Sequence, residues 1–298
     1  MSEDLYREAT RVPVEEGSHP ACVRVARFAG ATSSRRFLLV HGNPSDLTHW
    51  GPLLPALRGL GDILAYDQVG FGRSDALTTD APTLERCADV AACVLDAAGW
   101  REPVTVVGQS HGGMVAIALA ARFPERVTCV VLLGTGGTPA HLAYRLLALP
   151  HAATVLELLA KRLFGSTMLE PLARRIIHHG LRRAFAPDIV PDAVAVETTR
   201  LFAARPALAA SMARLVEDDP CTKVAAYARQ VRAPLLFVHG RSDALVPIDH
   251  ARRLHDIALR AGQRSTFIEV DGGHFLHHTP PGLVMRHLTR WLHHVDGP

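Results

Sequence analysis

The stretch Val104-Thr105-Val106-Val107-Gly108-Gln109-Ser110-His111-Gly112-Gly113 decides how this chain is read. An apolar β-type run enters it, and the helical run Met114-Val115-Ala116-Ile117-Ala118-Leu119 leaves it. A strand that turns this sharply into a helix leaves no room for side chains two residues before and two after the apex. Glycine supplies that room at positions 108 and 112 and tolerates unusual backbone angles. Ser110, at the apex, is forced into a strained, exposed position, with a helix N-terminus behind it offering unpaired N–H groups to a developing anion. The pattern Gly-x-Ser-x-Gly alone occurs by chance in roughly one chain in fifteen. The flanking strand and helix are what make Ser110 a candidate nucleophile.

On the N-terminal side, residues 21–29, 36–40 and 62–66 read as strands, 46–60 and 83–98 as helices, and 67–75 as a glycine-rich loop. Leu84, Cys87, Val90, Val94 and Leu95 mark the apolar face of the second helix. Beyond the elbow, its helix runs to about 123 and residues 128–133 form a further strand. Strand and helix alternating at this spacing imply parallel crossovers, and so a three-layer α/β fold on a mostly parallel sheet of about eight strands. Between 138 and 225 the alternation stops and only helical segments are found, such as 153–164 with Leu156, Leu159 and Leu163 on one face. It resumes with a strand at 234–238, a helix at 248–261, a strand at 265–270 and a helix at 282–295. The expectation is a core made of residues 1–137 and 226–298, with an inserted helical cap or lid at 138–225.

A chain of 298 residues with 48% hydrophobic and 20% charged residues has the composition of an ordinary globular protein. Its net charge of +3, with arginines scattered through helical segments, argues against a nucleic-acid partner. Five cysteines, Cys22, Cys87, Cys93, Cys129 and Cys221, are an odd number without metal-ligand spacing, so free thiols are expected. The pairs His178-His179 and His277-His278 also lack ligand spacing and read as helical surface, so neither a metal nor a cofactor is expected. The first eight residues are polar and acidic, without the apolar core of a signal peptide. The leucine-rich stretch 142–164 is broken by Arg145, Pro150, His151, Glu157 and Lys161, so no membrane span is expected. A cytoplasmic location follows as the expectation.

A serine hydroxyl becomes a useful nucleophile only when a base removes its proton, and that base needs an acid to hold its tautomer. The chain offers both after later strands: Asp243 in His239-Gly240-Arg241-Ser242-Asp243, and His274 in Asp271-Gly272-Gly273-His274. Asp249 and Asp271 compete for the acid. Asp243 is preferred because its strand-end setting lies opposite the histidine loop. His111, His239, His277 and His278 match no position for a base.

The order Ser110, Asp243, His274 resembles that of the α/β-hydrolase superfamily. So do the glycine elbow, Gly240-Arg241-Ser242-Asp243-Ala244-Leu245-Val246-Pro247, Gly273-His274, His41-Gly42-Asn43-Pro44 and Asp67-Gln68-Val69-Gly70-Phe71-Gly72-Arg73-Ser74. The resemblance covers nearly the whole chain. It implies an oxyanion hole formed by the backbone N–H groups of Asn43 and His111, with one such donor worth about 3 kcal/mol of barrier. His41 reads as a histidine bracing that loop, and Asp67 and Arg73 as ties on the neighbouring one.

Asn43-Pro44 is similar to the corresponding loop of haloalkane dehalogenases and epoxide hydrolases, but their aspartate nucleophile is replaced here by Ser110, which excludes their aspartyl-ester route. Serine implies acyl transfer on an ester or lactone of an apolar or amphipathic small molecule, without a cofactor. A thioesterase, a serine-dependent carbon–carbon (ring-cleavage product) hydrolase and a non-catalytic ligand-binding relative are the alternatives. Ring-cleavage relatives usually carry a cap arginine and a tryptophan near the last motif; here Phe275 follows His274 and the cap has no tryptophan. Leu142, Leu146, Leu147, Val155, Leu158 and Leu163 are expected either to pack the cap on the core or to face the cleft.

Overall fold

The apolar runs that read as strands are covered on both faces, and their alternating side chains feed two separate halves of the core. In β5 (Val104–Gln109), Val104 and Val106 join one half while Val107 joins the other. In β3 (Arg36–Val40), Leu38 and Val40 face the first half, and Phe37 and Leu39 the second. This period-two partition is what a sheet sandwiched between helical layers requires. The computed structural model describes residues 9–14, 20–32, 35–76, 82–137, 149, 151–166, 168–205, 208–278 and 281–296.

The remaining strands are β1 (Thr10–Pro13), β2 (Cys22–Phe28), β4 (Asp62–Tyr66), β6 (Val127–Leu133), β7 (Leu235–Gly240) and β8 (Ser265–Val270). They form one sheet in the order β1-β2-β4-β3-β5-β6-β7-β8. The β1–β2 and β2–β4 pairs are antiparallel, and every later pair is parallel. Strand β1 escaped the sequence reading because it is a four-residue edge strand that ends in proline and buries almost nothing.

On one face lie α2 (Leu84–Ala97), α3 (His111–Arg122), α8 (Pro220–Ala228) and α9 (Ile248–Arg260), whose buried residues include Val90, Ile117, Val224 and Leu254. The predicted apolar face of α2 is buried as expected, with Thr83 capping its first turn through Arg86 N–H. On the other face lies α10 (Pro281–Asp296), with Val284, Leu288 and Trp291 buried beside Trp50 and Leu57. The helix expected over 46–60 is not continuous. A 3₁₀ turn at Leu47–Trp50 and the short helix α1 (Leu54–Arg58) replace it, because Gly51-Pro52 and Pro55 interrupt the backbone donors. Between β6 and β7 the described residues contain helices and no strand: α4 (Ala152–Phe164), α5 (Glu170–Phe185), α6 (Asp192–Ala204), α7 (Leu208–Glu217) and then α8. All five cysteines are free thiols, and among the described residues no helix is long and apolar enough to cross a membrane.

Two glycines let α3 close on the sheet. A Cβ on Gly108 would fall on Gly112 O and, at 2.5 Å, on Gly113 Cα, while a Cβ on Gly112 would collide with the carbonyls of Val40 and His41. The chain therefore turns from β5 into α3 through Ser110 at φ 53 and ψ −121, a region that non-glycine residues rarely occupy. Hydrogen bonds fix the turn: Ser110 N–H donates to Leu133 O at 2.9 Å, and Gly113 N–H donates to Ser110 O at 3.0 Å.

The loop after β3 is braced from beneath. His41 Nδ1–H donates to Gly42 O at 2.7 Å, and Gln68 N–H donates to His41 Nε2 at 2.9 Å, which fixes a neutral imidazole. Asp67 accepts from Leu47 N–H at 2.8 Å and from Arg73 N–H at 2.7 Å, joining the loops after β3 and β4. His41 and Asp67 are thus structural ties, as expected; Arg73 contributes its backbone N–H. Burial lowers His41 to about 4, against smaller raising effects from the Gly42 carbonyl and Asp46. Burial, reinforced by the charge of His41, lowers His111 to about 4 as well.

Substituting Gly112→Ala should destabilise the protein by about 2–3 kcal/mol in urea unfolding, because the new methyl group meets backbone that cannot move aside. An unchanged unfolding midpoint would contradict the packing described. His41 and His111 also predict a pH dependence. Between about 4 and the unfolded value of 6.5 the unfolded chain binds more protons at both residues, so stability rises with pH. Their full contribution is present above pH 6.5 and is lost towards pH 4, at about 3 kcal/mol each. Urea midpoints measured from pH 7.5 down to 4.5 should fall steeply; a flat profile would mean these imidazoles are not buried as neutral groups.

Candidate active site

The carboxyl ends of β5, β6, β7 and β8 bring the sequence-predicted residues to one edge of the sheet. Asp243 follows β7 and His274 follows β8, and His274 Nδ1 lies 2.7 Å from Asp243 Oδ2. The other carboxylate oxygen accepts from Leu245 N–H at 2.9 Å and Val246 N–H at 2.8 Å. His239 Nε2, at the end of β7, lies 2.8 Å from Val246 O and 3.3 Å from Asp243 Oδ2. Burial would raise the pKa of Asp243, but the facing imidazoles of His274 and His239 override it and hold the carboxyl below its ordinary range. Asp243 therefore stays ionised and fully occupied as an acceptor. Sequence reasoning assigned His239 no role; its place immediately before Gly-Arg-x-Asp is the signal that it would face the carboxylate.

The competing carboxylates stand apart. Asp271 is 91% exposed and paired with Arg241 at 2.6 Å, and Asp249 is 69% exposed and paired with Arg252 at 2.9 Å.

Ser110 is brought alongside the Asp243–His274 pair through β6. Its N–H is held by Leu133 O, and the next residue, Gly134, sits so close to the pair that a Cβ there would be 3.2 Å from His274 Nδ1 and 3.5 Å from Asp243 Oδ2. Among the described residues Ser110 Oγ makes no hydrogen bond, to His274 or to any other group. The loop carrying Asn43 flanks the serine, since a Cβ on Gly42 would lie 3.0 Å from Ser110 Cβ. His111 opens α3, where backbone N–H groups have no intrahelical acceptor. Both of its ring nitrogens are buried without a partner.

A cavity of about 480 Å³ opens beside His274 and the Asn43 loop, and Ser110 is not among its lining residues. Asn43, Pro44, His274 and Phe275 line its floor, and helices α4, α5 and α6 form its walls. Leu156, Leu159 and Leu163 of α4 all face it, as their spacing predicts. Leu158 and Val155 neither pack the cap nor line the cavity; they are exposed. Leu142, Leu146 and Leu147 lie outside the described residues. Among the described lining residues none is Asp, Glu, Lys or Arg.

The reading of the His-rich pairs divides. His178 and His179 are exposed on α5, as expected. His277 and His278 are not helical surface: they sit in the turn after His274, His277 is 1% exposed, and His49 joins them from the 3₁₀ turn after β3. One ring nitrogen of each residue lies within 4.8 Å of the others. Sequence reasoning missed this cluster because His49 and His277, 228 positions apart, are brought together only by the fold.

Comparison with known proteins agrees with this architecture. The chain is 31% identical over 268 residues to a pyrrolizixenacetamide deacetylase of Xenorhabdus hominickii, spanning 88% of this chain and 92% of that protein. It is 28% identical over 233 residues to a 2-hydroxymuconate semialdehyde hydrolase of Pseudomonas sp. strain CF600, spanning 75% and 76% of the two. A thermophilic esterase from Thermogutta terrifontis superposes with a TM-score of 0.74 at 21% identity, covering 97% of this chain and 99% of that one. The sequence model of the alpha/beta hydrolase fold matches residues 35–281. The chain belongs to the alpha/beta hydrolase family.

Proposed function

We propose that the protein is a serine hydrolase that cleaves an ester or lactone of an apolar or amphipathic small molecule through an acyl-enzyme on Ser110. The observation that carries this reading is the buried 2.7 Å contact between His274 Nδ1 and ionised Asp243, set beside a strained serine elbow. In the proposed cycle, Ser110 Oγ attacks the carbonyl carbon while His274 Nε2 takes its proton. Asp243 accepts from Nδ1–H, fixing the tautomer and stabilising the imidazolium. The N–H groups of Asn43 and His111 donate to the tetrahedral oxyanion. His274 then returns the proton to the departing alkoxide, which stays tethered if the substrate is a lactone. Water, deprotonated by His274, releases the acid. An unformed Ser110–His274 hydrogen bond is compatible with this cycle, because such bonds often tighten only when substrate is bound.

The uncharged, leucine-rich cavity supports a neutral acyl group, covered by a cap that we assign to residues 138–225. A second reading, hydrolysis of a carbon–carbon bond, draws on the similarity to the 2-hydroxymuconate semialdehyde hydrolase. The absence of a cationic side chain among the described lining residues favours the ester or lactone.

Ser110→Ala should lower turnover of a short-chain aryl ester by about three or more orders of magnitude without changing the unfolding midpoint by more than the relief of elbow strain. Equal rates in the two proteins would end this reading. A fluorophosphonate probe should label Ser110, and His274→Ala should abolish that labelling; a labelled peptide elsewhere in the chain would show that the elbow is not the nucleophile. Leu159→Trp, which fills the cavity, should raise KM for long acyl chains more than for acetyl esters, and an equal effect on both would disconnect the cavity from acyl binding.

A further inference from the structure

The turn after β8 and the 3₁₀ turn after β3 meet in a histidine cluster that the proposed hydrolysis does not use. His277 Nε2 lies 3.1 Å from His49 Nδ1, and the ring of His278 stands 4.5 Å from that of His277 and 5.0 Å from that of His49. Buried nitrogens remain unpartnered at His277 Nδ1 and His278 Nε2. The other neighbours are aromatic rings, Trp50 at 5.5 Å and Phe275 at 5.7 Å from His277, which leave those nitrogens unsatisfied. Buried polar atoms left this way cost free energy, and such exceptions call for an explanation.

Tetrahedral geometry gives the nitrogens that face one another a shared use, although His277 Nδ1 lies on the far side of its ring. Two imidazole nitrogens bound to one Zn²⁺ at about 2.0 Å stand about 3.3 Å apart, close to the His49–His277 spacing of 3.1 Å. The third ring is within reach of a side-chain rotation, since all three ligand atoms lie within 4.8 Å of one another. We propose that His49, His277 and His278 form a binding site for a borderline divalent transition metal such as Zn²⁺ or Co²⁺, next to the cavity that His49 lines.

The donor set selects the metal class: three imidazoles and no carboxylate suit Zn²⁺, Co²⁺, Ni²⁺ or Cu²⁺ and disfavour Mg²⁺ and Ca²⁺. The lone pairs are available at neutral pH. Burial, with the charges of neighbouring histidines, holds His49 and His277 well below the ordinary range, and burial alone lowers His278 to about 4. On binding, the proton shared by His49 Nδ1 and His277 Nε2 moves to the distal nitrogen of the ring that carries it, so no net proton is released. The ion would tie the turn after the Asn43 loop to the turn after His274. It would also place positive charge near the imidazole that becomes cationic during hydrolysis.

The test uses tag-free, chelator-stripped protein. Titration with Co²⁺ should develop the intense visible bands of a four-coordinate nitrogen site, saturating at one equivalent, with Zn²⁺ displacing Co²⁺. His278→Gln should weaken binding by more than about 100-fold, since even outer-shell losses cost 10–100-fold, whereas a His178→Ala, His179→Ala double variant should leave affinity within about 2-fold. The opposite pattern, or binding by the unmodified protein no tighter than by His278→Gln, would overturn the proposal. If His278→Gln fails to fold, X-ray absorption on the Zn²⁺-loaded unmodified protein decides: three imidazole ligands are expected, and fewer would refute the site. Ester turnover should fall on Zn²⁺ saturation and recover on chelation. That last readout rests on the serine-hydrolase reading, whereas the binding measurements stand without it.

Discussion

Helix α3 approaches the ends of β3 and β5 so closely that no side chain fits at Gly108 or Gly112, and most of the site follows from that contact. The approach forces the turn between them into the conformation held by Ser110 at φ 53. It sets the first turn of α3 beside the loop from β3, with Ser110 half-buried between them. The strain at Ser110, about 1–3 kcal/mol for such a residue, is sustained by the burial of nearly all of α3 from Gly112 to Ala120. Packing energy in the core thereby maintains a backbone geometry that a free peptide would abandon.

The sheet then does the assembling. Parallel strands β5, β6, β7 and β8 end at the same edge, so residues 110, 134, 243 and 274 become neighbours despite their separation in sequence. Asp243 is held by two backbone N–H groups and two imidazoles, which keeps it ionised in a buried setting that would otherwise protonate it. The loops on this edge are tied in turn by His41 and Asp67. The polar groups of Asp243, His41 and Asp67 are thus engaged with their neighbours, while the ring nitrogens of His111, His277 Nδ1 and His278 Nε2 stay unpartnered, and the apolar cavity above is lined chiefly by the inserted helices.

Much of this was legible in the sequence for definite reasons. Central strands are mostly apolar because both faces are covered, and α4 shows Leu156, Leu159 and Leu163 at helical spacing because one face lines the cavity. Asp243 could be preferred over Asp249 and Asp271 because it directly follows a buried strand, and burial separates it from them in the structure. What escaped the sequence was edge structure and long-range geometry. Strand β1 buries too little to leave a pattern, and the 46–60 helix was read through Pro52 and Pro55, which break it. The roles of Gly134 and His239 and the union of His49 with His277 and His278 depend on strand order, which no local pattern encodes.

Covalent acylation of Ser110 is the step on which the proposed hydrolysis depends. Rapid-quench mass spectrometry of the protein mixed with a slowly deacylating aryl ester measures this directly. A transient mass increase equal to one acyl group is expected, mapped to the peptide containing Ser110 and formed in step with a burst of released phenol. Turnover of the ester with no acylated peptide, or with the acyl group on another residue, would contradict the proposed hydrolysis.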